Sequence, residues 1–313
     1  MEVQGTLFWE WTAAAAVLVF GFWGSVWAKQ GKLKPALWSF CLGVTGGILG
    51  AKLFYYLCQL DFMIAEGWQE TLFRLDPEQM SFCGGFAGAC LGVALAARIC
   101  GLSPIFLLNK WIPYGLLVGA ATRFGEYFLG MVGVGPYLET KSLCFFPLAM
   151  GFSYGDDWTE WYLAVFMLEG ISLLAAAAVS FRKLKEHRFL RSVFYFCLPQ
   201  ILLENLRLGS FMWFFCIRVE QLACMLAMFI ILIIYGIRSR GKPRRFLPAG
   251  IAVACAGIFI VSEFAMQGKI QFLRFLDINA CYVLMLAGQV ILAVTEIFAF
   301  WKMKTVEAEE EHK

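Results

Sequence analysis

The sequence has little charge and almost no histidine, and both shortages limit what it can be. Asp, Glu, Lys and Arg make up 16% of the 313 residues, whereas hydrophobic residues make up 60%. A soluble domain has too little interior to bury that much apolar surface. The only histidines are His187 and His312, and no Cys-x-x-Cys or histidine-bearing metal pattern occurs. We therefore expect neither a metal site nor a cofactor.

Paired cysteine spacing is also missing. The chain has 11 cysteines, an odd number, and most fall within apolar runs. This pattern argues against a disulfide framework. We expect most of these thiols to pack as small hydrophobic side chains.

Long apolar runs are what the sequence does have. Runs of about 20 residues recur along the chain, which is the length a helix needs to cross a bilayer. We predict nine such spans, over residues 7–27, 36–57, 80–97, 105–126, 161–181, 189–207, 211–236, 246–264 and 278–301. The predicted fold class is therefore all-α, a polytopic helical membrane protein. Glycines in the second span are spaced to let a neighbouring helix approach closely.

Most of the 26 Lys and Arg residues lie in the turns after the odd-numbered spans and after the last span. The positive-inside rule then places the N-terminus outside and the C-terminus in the cytoplasm. The net charge is only +3. This distribution favours membrane orientation over nucleic-acid binding.

Four basic residues do not fit the orientation pattern. Lys52, Arg123, Arg207 and Arg218 lie in or at the ends of spans, on the predicted outer side. A charge at the centre of a membrane helix costs about 2.5–3.5 kcal/mol, so such residues are more often functional than incidental.

Two of these arginines have an acid three residues away. Arg123 is followed by Glu126, and Glu204 precedes Arg207. Residues at this spacing share a helical face. One interpretation is that the guanidinium groups gather around a lipid phosphate, to which their planar fork is suited. The other is that both pairs are intrahelical ion pairs that stabilise the bundle.

Five short stretches resemble motifs of the bacterial prolipoprotein diacylglyceryl transferases, in the same order along the chain. M-S-F-C-G-G at 80–85 resembles L-S-F-H-G-G, and A-T-R-F-G-E-Y-F-L-G at 121–130 resembles the signature G-R-I-G-N-F-I-N-G. The other three are G-A-K-L-F-Y-Y-L from residue 50, Q-I-L-L-E-N-L-R from residue 200 and V-E-Q-L-A-C-M-L from residue 219. The resemblance covers about residues 6–240.

The resemblance implies an activity and its partners. The family transfers diacylglycerol from phosphatidylglycerol to the lipobox cysteine thiol of a prolipoprotein in the inner membrane. Glycerol 1-phosphate leaves and a thioether forms. The implied partners are phosphatidylglycerol, lipobox-bearing prolipoproteins and membrane lipids.

Position by position, the resemblance also implies site residues. The signature arginine falls at Arg123, and the later acid and arginine fall at Glu204 and Arg207. The expected catalytic residues are Arg123, Glu126 and Glu204. The expected substrate-binding residues are Lys52, Cys83, Gly84, Gly85 and Arg207.

Elementary chemistry supports these roles. Displacing a phosphate ester requires positive charge where the leaving phosphate gains negative charge, which Arg123 and Arg207 would supply. A cysteine thiol has a pKa of about 8.5 and must lose its proton before it attacks. Glu126 or Glu204 would accept that proton.

Four positions differ from the family pattern. Cys83 stands at the motif histidine, Glu126 at the signature asparagine, Met131 at an acid and Gln200 at an arginine. Three functions remain open. The site is rebuilt with Glu126 as base, or the chain binds phospholipid or lipoprotein without turnover, or it is a small transporter that uses its intramembrane acids.

The predicted domains follow the same comparison. Residues 1–245 form a transferase-like core of seven spans, and residues 246–301 add a unit of two spans. Residues 302–313 form an acidic cytoplasmic tail, which we expect to be solvated and disordered.

Overall fold

The computed structural model describes residues 2–60, 64–65, 74–153, 159–182, 184, 186–209, 212–214, 217–239, 244–269 and 276–311, with side chains between residues 5 and 305. Nine α-helices lie within these ranges. They are α1 Glu2–Ala28, α2 Leu33–Cys58, α3 Phe82–Ile99, α4 Pro104–Gly125, α5 Val165–Arg182, α6 Arg188–Leu206, α7 Val219–Arg238, α8 Leu247–Met266 and α9 Ile278–Glu311.

Eight of these nine described helices are long and apolar enough to cross a membrane, α6 being the exception. Their surfaces carry large apolar side chains. Leu18, Phe22 and Leu53 each expose more than half of their surface. Such side chains are stable against lipid and costly against water. The predicted class, an all-α polytopic membrane protein, is confirmed.

Two predicted spans begin too early, because short hairpins precede their helices. Strand β1, Ala149–Ser153, pairs antiparallel with β2, Thr159–Leu163, so α5 starts at Val165 rather than at 161. Strand β3, Trp213–Phe214, pairs with β4, Ile217–Arg218, so α7 starts at Val219 rather than at 211. Short aromatic and β-branched runs fit a strand as well as a helix end, so periodicity could not separate them.

The prediction for the acidic tail was also wrong. Helix α9 continues to Glu311, whereas disorder was expected. Glu, Ala and Lys are good helix formers, and a helix that is already nucleated in the membrane extends at little cost. His312 and Lys313 lie outside the described residues.

The chain forms two compact units. The first comprises Met1–Ser192 with Leu206–Met212, and the second comprises Val193–Asn205 with Trp213–Lys313. Helices α1 to α5 belong to the first unit, and α7 to α9 belong to the second. The functional division proposed at residue 245 stays a prediction.

Helices α2 and α3 pack backbone to backbone, as the glycine spacing in the second span predicted. A Cβ built on Gly88 of α3 lies 2.1 Å from the Gly46 carbonyl oxygen of α2. One built on Gly92 lies 2.0 Å from the Leu42 carbonyl oxygen. Because glycine has no side chain, the two helices can approach closely here. Any larger residue at either position would clash with the backbone of α2.

Candidate functional site

Two arginines and two glutamates form a buried ion-pair network in the first unit. Arg123 Nη1 donates to Glu126 Oε1 at 2.6 Å, and its Nε lies 3.1 Å from Glu169 Oε2. Arg207 Nη2 donates to Glu126 Oε2 at 2.9 Å, and its Nη1 donates to Glu169 Oε2 at 2.7 Å. Each arginine contacts both carboxylates, and each carboxylate contacts both arginines.

The network is shielded from solvent. The side chains of Arg123 and Glu126 expose 5% and 9% of their surface, and that of Glu169 exposes none. Arg207 exposes 11%. Two cations and two anions give this four-residue group a formal charge of zero, which is what a buried set of charges requires.

The end of α4 places the first pair. The helix ends at Gly125, and Glu126 begins a short 3-10 helix, Glu126–Leu129. The three-residue spacing keeps Arg123 and Glu126 on one face across this change. Their predicted ion pair is therefore present. Nearby, Trp11 of α1 donates its Nε1–H to the Ala121 carbonyl at 2.7 Å and fixes the end of α4.

Glu169 was not predicted as a site residue. It lies in the second turn of α5, among apolar side chains. The available signal was a fully apolar span that carries one carboxylate near its start. Sequence spacing could not connect Glu169 with Arg123, because the contact is tertiary.

Arg207 follows α6 directly, and a loop segment holds it in place. Leu208 N–H donates to the Val134 carbonyl at 2.7 Å, and Phe166 N–H donates to the Gly133 carbonyl at 3.0 Å. Gly133 has a φ of +79°, and a Cβ built there lies 2.3 Å from Glu126 Oε2. The segment therefore needs glycine at 133, both for its backbone conformation and for its approach to the carboxylate.

Phe82, in the M-S-F-C-G-G stretch, contacts Arg123 of the network. The Phe82 ring centroid lies 4.1 Å from Arg123 Cζ, a cation–π contact. Cys83 lies in the first turn of α3 and is partly buried. Gly84 and Gly85 pack on α2, because a Cβ at Gly84 lies 2.4 Å from Phe54 Cβ and one at Gly85 lies 3.3 Å from Ala51 Cβ.

Lys52 lies on α2 and is buried. Its Nζ donates to the Arg74 carbonyl at 2.9 Å and to Gln79 Oε1 at 3.2 Å. These contacts tie the segment that precedes α3 to α2. Lys52 therefore has a structural role in holding this segment.

Glu204 belongs to the second unit. Its Oε1 lies 4.0 Å from Arg218 Nη1, and both side chains are buried. Arg218 Cζ also lies 5.0 Å from the Trp213 ring centroid. In the same unit, Asn205 donates a hydrogen bond to Glu263. Arg218, which the orientation rule left unexplained, thus has a carboxylate and an aromatic partner.

An apolar cavity of about 400 Å³ lies beside the first pair. It is lined by Trp11, Phe124, Tyr127, Phe128, Phe146 and Met167. Three of these residues flank Arg123 and Glu126 in sequence, so the cavity and the network share the end of α4. An apolar slot next to a polar cluster matches the chemistry of a lipid, with chains on one side and a headgroup on the other.

Comparison of the chain with models of protein families, with curated proteins and with solved structures found no match.

Proposed function

We propose that this protein transfers diacylglycerol from phosphatidylglycerol to the lipobox cysteine thiol of a prolipoprotein. The observation that carries the proposal is the network around Arg123 and Arg207. Three stretches that resemble the family motifs supply Phe82, the Arg123–Glu126 pair and Arg207, and these residues are in direct contact. Two guanidinium groups beside an apolar cavity suit a phospholipid substrate.

In the proposed reaction, the thiol sulfur bonds to the carbon of the diacylglycerol part that carries the phosphate. The carbon–oxygen bond to that phosphate breaks, and glycerol 1-phosphate leaves with the electron pair. Arg123 and Arg207 stabilise the charge that gathers on the leaving phosphate. The acyl chains of the donor lie along the aromatic cavity at Phe124 and Phe128.

The neutral network links proton transfer to phosphate binding. Both guanidinium groups already contact carboxylates, so a phosphate must compete with Glu126 or Glu169. A proton that moves from the thiol to Glu126 removes one negative charge and frees guanidinium donors for phosphate oxygens. Glu126 is the better acceptor of the two, because Glu169 has no exposed surface. Glu204, in the second unit, remains the other candidate base from the resemblance.

The assay uses the purified full chain, phosphatidylglycerol with a labelled headgroup glycerol, and a lipobox peptide. The proposal predicts release of labelled glycerol phosphate that depends on the peptide cysteine. Release should disappear in Arg123→Ala and persist in Cys83→Ala. Arg98→Ala is the matched control, because Arg98 is an exposed arginine in the last turn of α3.

The second candidate is a homologue that binds phospholipid or lipoprotein without turnover. The observation that favours it is that each guanidinium group already contacts two carboxylates. It predicts that phosphatidylglycerol copurifies with the chain and that no glycerol phosphate is released. Lipid retention that is lost in Arg207→Gln, with no product from the unmodified chain, would favour binding over transfer.

A further inference from the structure

Three cations line a second cavity in the first unit, at the opposite end of α4. The cavity has a volume of about 320 Å³ and lies among the ends of α1 and α5 and the beginnings of α2, α4 and α6. Its cations are Lys32, Lys110 and Arg188, and none of the described residues that line it is an acid. Glu186, the acid next to Arg188 along the chain, is exposed. The cavity therefore has a local excess of positive charge.

Aromatic side chains form much of its lining, and one ring lies near both lysines. The Nζ atoms of Lys32 and Lys110 each lie 6.0 Å from the Phe106 ring centroid. The rings of Trp23 and Tyr114 pack with centroids 5.7 Å apart. Two ammonium groups that line one cavity beside the same ring repel each other, and an anion bound in the cavity would reduce that repulsion.

Trp23 adds a neutral donor to the same cavity. Its side chain is almost fully buried, and its Nε1–H has no hydrogen-bond acceptor among the described residues. A buried donor without an acceptor is costly, by about 1–3 kcal/mol. Since Trp23 lines the cavity, an oxygen-rich anion bound there is a natural acceptor for this group.

This cavity is separate from the Arg123 network. Lys110 and Arg123 lie on the same helix α4, and 13 residues of helix correspond to about 20 Å. The positive-inside expectation puts the cavity at the cytoplasmic end of the spans, where acidic lipid headgroups collect.

We propose that this cavity binds the phosphate group of an anionic ligand, such as the headgroup of an acidic phospholipid. Two lysines provide point charges and Arg188 provides a fork for phosphate oxygens. The proposal is independent of the transferase function, because no residue of the Arg123 network takes part.

The test measures binding of phosphatidic acid to the delipidated full chain by native mass spectrometry, with phosphatidylcholine, whose phosphate and choline charges cancel, as the comparison lipid. The cavity variant is Lys32→Gln/Lys110→Gln/Arg188→Gln. The charge-matched control is Lys29→Gln/Lys34→Gln/Arg98→Gln, which removes three cations that do not line the cavity. Elution as a single species and unchanged helix content establish that each variant is folded.

We expect the cavity variant to bind phosphatidic acid roughly a hundredfold more weakly, since each cation near a membrane surface contributes about 1 kcal/mol. The control should change far less. Because Arg188 also donates to the Leu184 carbonyl at 2.7 Å, the double variant Lys32→Gln/Lys110→Gln tests the site without that structural bond. It should weaken binding by roughly twentyfold.

A second arm separates a lipid headgroup from free phosphate. Inorganic phosphate is added to the lipid-free chain, and its binding is compared between the same variants. Binding of inorganic phosphate that is lost only in the cavity variant assigns the site to a soluble phosphate, whereas binding of phosphatidic acid alone assigns it to a lipid. Equal losses in cavity and control variants, or no binding of either probe, would overturn the proposal.

Discussion

Arg123 and Arg207 share both of their carboxylate partners, Glu126 and Glu169. The four side chains form a group in which every charge contacts two opposite charges. Removing any one residue leaves a buried charge with incomplete compensation. The effects of single substitutions should therefore be large and strongly coupled.

The first prediction concerns that coupling. Arg207→Gln leaves Glu126 and Glu169 with one shared guanidinium group, so we expect a loss of about 3–5 kcal/mol in the free energy of unfolding. Adding Glu169→Gln should recover part of the loss, because the remaining pair is neutral again. Thermal unfolding in detergent of the two single variants and the double variant measures this. Losses that simply add would show that the four charges are not coupled.

The second prediction concerns Gly133, whose Cα lies against Glu126. Gly133→Ala places a Cβ 2.3 Å from Glu126 Oε2 and should displace the carboxylate. Gly130→Ala is the matched control, because Gly130 also has a positive φ, of +68°, and no described atom lies within 4 Å of a Cβ built there. Both variants also carry backbone strain, because alanine is unfavourable at a positive φ.

We expect Gly133→Ala alone to abolish release of glycerol phosphate in the transferase assay. Gly133→Ala should also lower the unfolding temperature more than Gly130→Ala, because it disturbs the buried ion-pair network in addition to straining the backbone. Equal activity of the two variants would mean that the approach of Gly133 to Glu126 does not matter for the reaction.

The third prediction concerns the close contact of α2 and α3. Gly88→Ala puts a Cβ 2.1 Å from a backbone oxygen of α2, so the helices must separate. We expect a large drop in the unfolding temperature and in the yield of folded protein. Gly24→Ala, in α1, has no described atom within 4 Å of the new Cβ and should be neutral or stabilising, since alanine is the better helix former.

The fourth prediction concerns Lys52. Lys52→Met removes donors to the Arg74 carbonyl and to Gln79, so residues 74–79 should lose protection from amide hydrogen exchange. Lys34→Met, a change in the first turn of the same helix, is the control. Unchanged protection in Lys52→Met, together with loss of lipid binding, would instead assign Lys52 to the substrate.

The sequence predicted the site contact between residues close along the chain but not the contacts between distant segments. Arg123 and Glu126 could be paired because they are three residues apart, and charge inside an apolar span marked them. Arg207 was found by the same signal, but its partners could not be identified, since Glu126 follows α4 and Glu169 lies in α5, both far away in sequence. Glu169 shares no local spacing with either arginine.

In the fold, the membrane spans could be predicted from the sequence, whereas the short strands could not. The membrane spans were predictable because about 20 consecutive apolar residues have few other stable structures. The strand pairs β1–β2 and β3–β4 were missed because aromatic residues occur in both strands and helix ends. The role of Gly133 depends on its positive φ, which the sequence Gly-Val-Gly allows but does not require.

The most direct test of the transferase proposal is the mass of a lipobox peptide after incubation with phosphatidylglycerol and the purified chain. The account predicts a peptide heavier by one diacylglycerol moiety attached to its cysteine, with no such product from Arg123→Ala or from a peptide with serine in place of cysteine. A peptide of unchanged mass, in the presence of folded protein that retains phosphatidylglycerol, would contradict it.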